Sequence, residues 1–274
     1  MRDEVPPARP RVPQARGDGC RGQARPRRSR ALSDRAITRI SQAYPDHVEV
    51  RGRDLTGDLM GRLTFTEYFH LLLTGEEPTE EQRFFLDLLL VAIAEHGLMP
   101  TNIASRMTLA ADPGSLQGAV AAGILGSGPV VLGTSEECAR LLGSEEEPAE
   151  IVASIRSAGG KVPGFGHPVH RPVDPRAERI LELADEHGVS GVHVARAGAF
   201  REAVAEAWGK PLTMNVSMPI AAVLLDLGFP RSMAKAVPIL ARTAGLLAHL
   251  AEEQERPIGF LLAAAAEDAV DYEP

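Results

Sequence analysis

Aromatic residues make up only 4% of this 274-residue chain, so its apolar interior has to come from Leu, Ala, Val and Ile. A chain rich in Ala and Leu and short of aromatic strand formers leans towards helices. Cysteine is scarcer still: Cys20 and Cys138 cannot make a disulfide framework, which fits a reducing cytoplasm. Long apolar runs are absent. The longest, Phe84 to Ala94, is interrupted by Asp87 and ends at Glu95, too short for a membrane span. There is no phosphate-binding P-loop, so an ATP-dependent step would need another protein. There is no metal-ligand motif either. The eight histidines are scattered, and His167 and His170 lack an acidic or Cys partner at ligand spacing, so no metal is expected.

What is present is a 44% hydrophobic chain long enough to bury a substantial core. Its net charge of −8 is unevenly spread. Residues 1–30 hold nine Arg against Asp3, Glu4 and Asp18, a net +6, which leaves −14 for the rest. An acidic body is a poor fit to nucleic acid. The tail, residues 1–32, is rich in Pro and Gly and has no apolar periodicity, so it reads as disordered. An Arg-rich tail also suits nucleic acid or a transit peptide, but this one lacks an amphipathic pattern, and an over-long start to the reading frame accounts for it.

Beyond the tail the pattern is helical. A short helix is expected over Ser33 to Ala43, capped by Ser33 or Asp34, then a Pro45-Asp46 turn and a strand-like run His47 to Arg51. Thr56 to Leu73 carries an apolar stripe at helical spacing, and Thr64 with Glu67 has capping-box spacing. Further helices are expected at Thr79 to Glu95, Ala104 to Ala111, Leu116 to Leu125, Glu136 to Leu142 and Ala149 to Ala158. After a Gly/Pro/His loop come Arg176 to His187, Gly198 to Trp208, Pro219 to Leu227, and Arg231 to Glu253, where Pro238 should kink the helix or mark a break. With strands so scarce, the fold class is all-α.

Three ordered patches carry a resemblance: Glu95-His96-Gly97-Leu98; Pro163-Gly164-Phe165-Gly166-His167 running through Arg171 to Asp174-Pro175-Arg176; and Asn215-Val216 followed by Ala241 to Gly245 and Glu255-Arg256-Pro257. Together they resemble the citrate synthase superfamily, and within it the short citryl-CoA lyase branch, over about residues 33–260. The resemblance implies a large helical domain from 33–136 and 218–274, with a smaller helical domain, 137–217, inserted between. It also implies a homodimer in the cytoplasm, with a cleft that closes on a small polycarboxylate and an acyl-CoA. The expected activity is carbon–carbon lyase or acyltransferase chemistry, with coenzyme A entering as the substrate thioester, and no nucleic acid or membrane as partner.

The same resemblance assigns roles. Arg176, Arg242 and Arg256 fall on carboxylate-binding positions, where a planar guanidinium pairs bidentately; Arg256 would reach into a partner's site. Read alone, each is equally an ion-pairing arginine. His96 matches a substrate-binding histidine, although a lone His at a helix end is also a good dipole partner. His167 matches the histidine that polarises the oxaloacetate carbonyl or handles the citryl hydroxyl proton, and its pKa range suits either task. Val162, Pro163, Gly164, Phe165 and Gly166 match the backbone that holds the CoA adenine, and Arg171 a CoA-phosphate contact.

Two positions depart from the pattern. Ser217 stands where the family carries the carboxylate that exchanges a proton with the acetyl methyl carbon, and a neutral hydroxyl is a poor acid or base near pH 7. Val131 stands where synthases have a histidine, which favours lyase over synthase. Asp226 or Glu95 is the candidate substitute acid. The leading expectation is cleavage of a citryl-CoA-type thioester to acetyl-CoA and oxaloacetate or a related 2-oxoacid. The alternatives are a synthase-type or other acyl-CoA reaction in which Ser217 takes part, and a catalytically impaired carboxylate/CoA-binding protein.

Overall fold

The computed structural model describes residues 36–273, and among these eleven α-helices follow a small three-stranded sheet. The basic tail, Cys20 and the caps expected at Ser33 and Asp34 lie outside the described residues. The chain divides into two units, Met1–Arg39 and Ile40–Pro274, and every element below belongs to the second. Of the first, only residues 36–39 are described; they are exposed and carry no helix.

The expected helix over Ser33 to Ala43 is therefore not formed in its described part. Ser41–Ala43 is strand β1, paired antiparallel with β2 (Val48–Val50) in the register Ser41↔Val50, with the Pro45-Asp46 turn between them. β3 (Arg53–Asp54) closes the sheet. A strand needs partners for its backbone N–H and C=O groups, and the segment just upstream of the turn is the partner within reach. Helical spacing in Thr56 to Leu73 is also divided. A π-helical turn at Leu55–Leu59 is capped by Asp54, and α1 (Phe65–Thr74) starts after a break at Gly61, whose φ is +76°. Thr64 and Glu67 form the expected capping box, and α1 ends on Gly75 in the left-handed region.

The remaining helices are close to expectation. α2 (Glu80–Ala94) opens on a Thr79/Gln82 capping box. α3 (Pro100–Ala111) and α8 (Val192–Trp208) start earlier than expected, while α4 (Leu116–Leu125), α5 (Thr134–Leu142), α6 (Pro148–Ser157) and α7 (Pro175–Glu186) lie within two residues of it. α9 is Ser217–Asp226 and α10 is Ala236–Glu255. The expected long helix breaks between a 3-10 turn at Arg231–Met233 and α10, so Pro238 sits in a first turn, where a missing N–H costs nothing. α11 (Gly259–Asp268) was not expected.

α9 is the internal axis. Residues Ser217 to Leu224 are all buried. Met218, Ala221 and Ala222 join one apolar cluster with Leu141, Val152 and Phe200. Ile220, Val223 and Leu224 join another with Phe85, Leu89 and Val237. Each fully buried aliphatic side chain contributes roughly 1.5–3 kcal/mol. A helix loaded on all sides with such residues holds the elements around it in fixed register, and its N-terminus carries Ser217.

α10 approaches the end of α2 closely. A Cβ on Gly245 would fall well inside van der Waals contact of the Ala94 carbonyl oxygen and 3.0 Å from the Glu95 carboxylate. Arg242, nearly one turn earlier on α10, is thereby brought against the Ile93 carbonyl at 3.5 Å. Helix propensity alone would make Gly245→Ala stabilising by about 1 kcal/mol. The close approach reverses that sign: overpacking should destabilise by about 1–3 kcal/mol, read as a lower denaturant midpoint. A raised midpoint would show that α2 and α10 are not held this close.

Candidate active site

Two loops build the site. The glycine-rich loop after α6 runs beside the segment that leads into α9, and backbone bonds zip them together. Gly166 N–H donates to the Thr213 carbonyl at 2.7 Å and Asn215 N–H to the Gly164 carbonyl at 2.8 Å, with Phe165 and Met214 forming a single β-bridge between those bonds. Gly164 has φ +82°, and a Cβ there would lie 2.9 Å from the Cys138 sulfur and 3.0 Å from the Met218 side chain. Only glycine fits this crossing. The Asn215 side chain adds a bond to the Gly166 carbonyl at 3.0 Å and accepts from Ser217 N–H at 3.1 Å.

Asp174 locks the assembly. Its carboxylate is fully buried. It caps α7 through Arg176 N–H, takes the Arg176 guanidinium bidentately at 3.0 and 2.9 Å, and accepts from Val216 N–H at 3.1 Å. Burial opposes its ionisation, but the Arg176 guanidinium and the two backbone donors outweigh it, so its carboxyl titrates below the ordinary value. One buried anion thus ties the His167 loop, α7 and the start of α9 to one point.

These elements surround a cavity of about 260 Å³. Arg176 and Arg242 supply its charge, His96 and His167 its imidazoles, and Asn215 and Ser217 its neutral polar groups. Val130, Val131 and Leu132 form an apolar wall. Arg242 is buried, bonded through Nη1 to Asn102 Oδ1 at 3.0 Å, and its Nε has no protein partner among the described residues. A buried guanidinium with an unused donor is suited to an anion.

The His167 imidazole has a defined tautomer. Its Nδ1 accepts from Val169 N–H at 3.1 Å and from His170 N–H at 2.8 Å. In the neutral ring the proton is therefore on Nε2, which is a donor. Burial, with the positive and imidazole neighbours His170, Arg176 and His96, holds His167 below the ordinary histidine value. His96 is lowered likewise, first by burial and then by Arg176 and His170. Both rings are neutral near pH 7.

The sequence expectation of scattered histidines is corrected for three of them. His96, His167 and His170 each bring one ring nitrogen within 4.8 Å of the others, close enough to hold a metal ion. His96 Nε2 lies 3.0 Å from His170 Nε2, and the His167 and His170 rings stack at 4.4 Å. Because backbone donors already point at His167 Nδ1, ligation through its Nε2 would force a proton onto the nitrogen facing those donors. The donor set is a poor match to a metal.

Other expected residues are placed elsewhere. Arg171 and Arg256 are exposed and do not line the cavity. Of the loop backbone, Val162 and Gly164 are buried and Pro163 and Phe165 half-buried, all off the cavity, whereas the exposed Gly166 does line it. Neither substitute acid reaches the cavity. Asp226 caps α8, accepting from the N–H groups of Gly191, His193 and Val194 and from the His193 ring at 2.8 Å. Glu95 holds the His96 N–H at 2.8 Å and Asn102 at 3.2 Å, and lies 3.1 Å from His249 Nε2. Burial raises its pKa, but His249 and the His96 N–H outweigh that, so Glu95 remains a carboxylate. No carboxylate lines the cavity among the described residues. Sequence reasoning missed Asp174 as the organiser, along with Asn102, Asn215 and His170. The Asp before Pro at a helix start was a legible cap signal for the first.

With this geometry in view, comparison with known proteins is decisive. The family model described as citrate synthase, C-terminal domain, matches residues 35–259. The chain belongs to the citrate synthase family. It is similar to the citryl-CoA lyase of Hydrogenobacter thermophilus, at 31% identity and a TM-score of 0.78, over 87% of this chain and 94% of that one. It is 30% identical to the citrate synthase of Haloferax volcanii over 68% of this chain and 51% of that protein. The citrate synthase of Thermotoga maritima aligns at 28% identity and a TM-score of 0.61, over 71% and 55%. The chain spans about half the length of the curated relatives it matches. The all-α expectation and the resemblance to the short lyase branch both hold.

Asp174→Asn should destabilise the fold by about 1–3 kcal/mol at neutral pH, because the half-buried Arg176 guanidinium and the buried Val216 N–H lose their anionic partner. The sign with pH follows from the lowered carboxyl. Its stabilisation is complete above the ordinary value of 3.8 and is lost as pH falls through the lower folded value. Urea titrations should show a constant gap between wild type and variant from pH 8 to 5 that narrows only below pH 3.8. A gap under 0.5 kcal/mol, or one that widens in acid, would contradict the assignment.

Proposed function

We propose that the chain is a citryl-CoA lyase-like enzyme that cleaves a citryl-CoA-type thioester to acetyl-CoA and oxaloacetate, or a related 2-oxoacid. The observation that carries this is the pairing of buried Arg242 and half-buried Arg176 with a neutral, donor-fixed histidine in one cavity, in a chain that covers 94% of a citryl-CoA lyase. Arg176 and Arg242 bind the carboxylates. His167 presents Nε2–H to the oxygen that changes from hydroxyl to carbonyl. The reaction removes the hydroxyl proton, breaks the adjacent C–C bond and leaves the electron pair as a thioester enolate, which then takes a proton at carbon. His96, neutral and in the cavity, is the base for the first proton. Fixed donors aimed at developing charge supply most of the rate in such sites.

Coenzyme A enters as part of the substrate, with the Val162-Pro163-Gly164-Phe165-Gly166 backbone holding the adenine and Arg171 a phosphate. The exposure of Arg171 supports contact with a group that extends out of the cavity. A large domain (33–136 and 218–274) with an inserted small one (137–217) is part of this reading; the apolar clusters on the two faces of α9 each draw residues from both and join them. This reading includes a homodimer in which Arg256, exposed at the end of α10, serves the partner's site. A cytoplasmic location is supported by Cys138, an unpaired and buried thiol, and no described helix is long and apolar enough to cross a membrane.

The cavity without a carboxylate also favours a second reading, a protein that binds citrate and CoA and turns over poorly. One assay decides between them. Oxaloacetate release from citryl-CoA, followed spectrophotometrically, should exceed background and fall at least 100-fold in His167→Ala, the usual scale for losing an oriented donor. Ser217→Asp should raise the rate by restoring an acid beside the enolate. Citrate binding by calorimetry with no release in wild type would reject the lyase and leave the binder.

A further inference from the structure

We propose that His96 and His170 act as one shared-proton pair, which stores the proton from the substrate hydroxyl and returns it to the enolate carbon in place of the missing carboxylate at Ser217. This rests on the lyase reading for the chemistry, whereas the pair itself is testable without turnover.

The geometry is specific. The two Nε2 atoms lie 3.0 Å apart, so one nitrogen carries the hydrogen and the other accepts it. The rings cross at 65° with centroids 5.2 Å apart. His170 is held from both sides. Its own N–H is bonded to His167 Nδ1, its ring stacks on His167, and its carbonyl accepts from Thr213 Oγ1 at 3.3 Å. A flexible surface histidine has none of these restraints.

The proton count closes. In cleavage the hydroxyl O–H gives up one proton, the C–C bond breaks with its electron pair passing to the thioester enolate, and the enolate takes one proton to become the acetyl methyl group. When His96 Nε2–H donates to His170 Nε2, His96 Nδ1 is bare and basic. A proton taken there drives the Nε2 proton across to His170, so the pair holds a single positive charge spread over two rings. The reverse transfer restores Nδ1–H as the acid that protonates the enolate carbon. No external acid is consumed, which suits a cavity lined by no carboxylate among the described residues. His167 cannot fill this role, because both of its nitrogens are committed, Nδ1 to backbone donors and Nε2–H to the substrate oxygen. The charged or titratable groups that face the pair are Arg176, Asp174 and Arg242 towards His96, Glu95 at its own backbone, and His167 towards His170. The arginines favour a store that is empty at rest.

His170 thus acts through His96 as a positioning residue. The test uses the full chain labelled with 15N at histidine. Wild type should show one N–H resonance coupled to two Nε2 nitrogens, with His96 and His170 titrating together. In His170→Gln the coupling should vanish and His96 should titrate alone. In the lyase assay this variant should lose about 100-fold in kcat, the scale of a general acid–base contribution, with KM little changed and the pH profile of kcat shifted. A second variant, His170→Ala, checked for an unchanged melting temperature, should behave alike and be partly rescued by added imidazole. Separate titration of the two rings in wild type would overturn the pair, whatever the lyase assay gives. Stoichiometric Zn2+ uptake through the three histidines, abolished by His170→Ala, would overturn it in favour of a metal site. An intact pair with no citryl-CoA cleavage in wild type would overturn its role as a proton store and leave only the hydrogen bond.

Discussion

A single buried carboxylate, Asp174, holds the site together. Sitting where the His167 loop runs into the first turn of α7, it fixes Arg176 two residues on and ties both to a distant segment through the Val216 N–H at the start of α9. An unpaired buried anion would be costly, so its bidentate guanidinium and two backbone donors make each segment's position conditional on the others. Arg176 in turn spends Nε and Nη2 on Asp174 and reaches the cavity already oriented. The preorganisation of the site is inherited from this ion pair.

Much of the helical layout was legible because its signals are local. The Thr64/Glu67 capping box depends on residues three positions apart and appears where its spacing places it. Errors occurred where a distant partner decides the outcome. Ser41 to Ala43 has acceptable helix formers, yet it pairs with Val48 to Val50, because a strand needs its backbone groups satisfied. His96, His167, Arg176 and Arg242 could be named from motif order, and the fold brings them to one cavity. Their supports could not. Asp226 and Glu95 look equally available as acids in the sequence, but one is bound up in capping α8 and the other with His249 and the His96 N–H. Which acid is free is decided by long-range packing, to which residue spacing is blind.

The chemistry proposed follows from what the cavity retains and what it lacks. It retains two arginines and a histidine whose tautomer is set by backbone donors. It lacks any acid at Ser217, and Val131 leaves an aliphatic wall where a hydrogen-bond donor could have met the enolate. Binding and polarisation of a tertiary alcohol are therefore well provided, while proton transfer to carbon falls to imidazole. A histidine pair that accepts and returns one proton reconciles these two facts with cleavage, whose proton balance is zero.

The central claim is that Arg176, Arg242 and His167 form one polycarboxylate site. A crystal structure with citrate and CoA bound tests it most directly. The account predicts citrate carboxylates on the Arg242 Nε and Arg176 guanidinium groups, with the hydroxyl oxygen within hydrogen-bond distance of His167 Nε2. Citrate bound outside this cavity, or inside it with His167 turned away and the Asp174–Arg176 pair broken, would contradict the account.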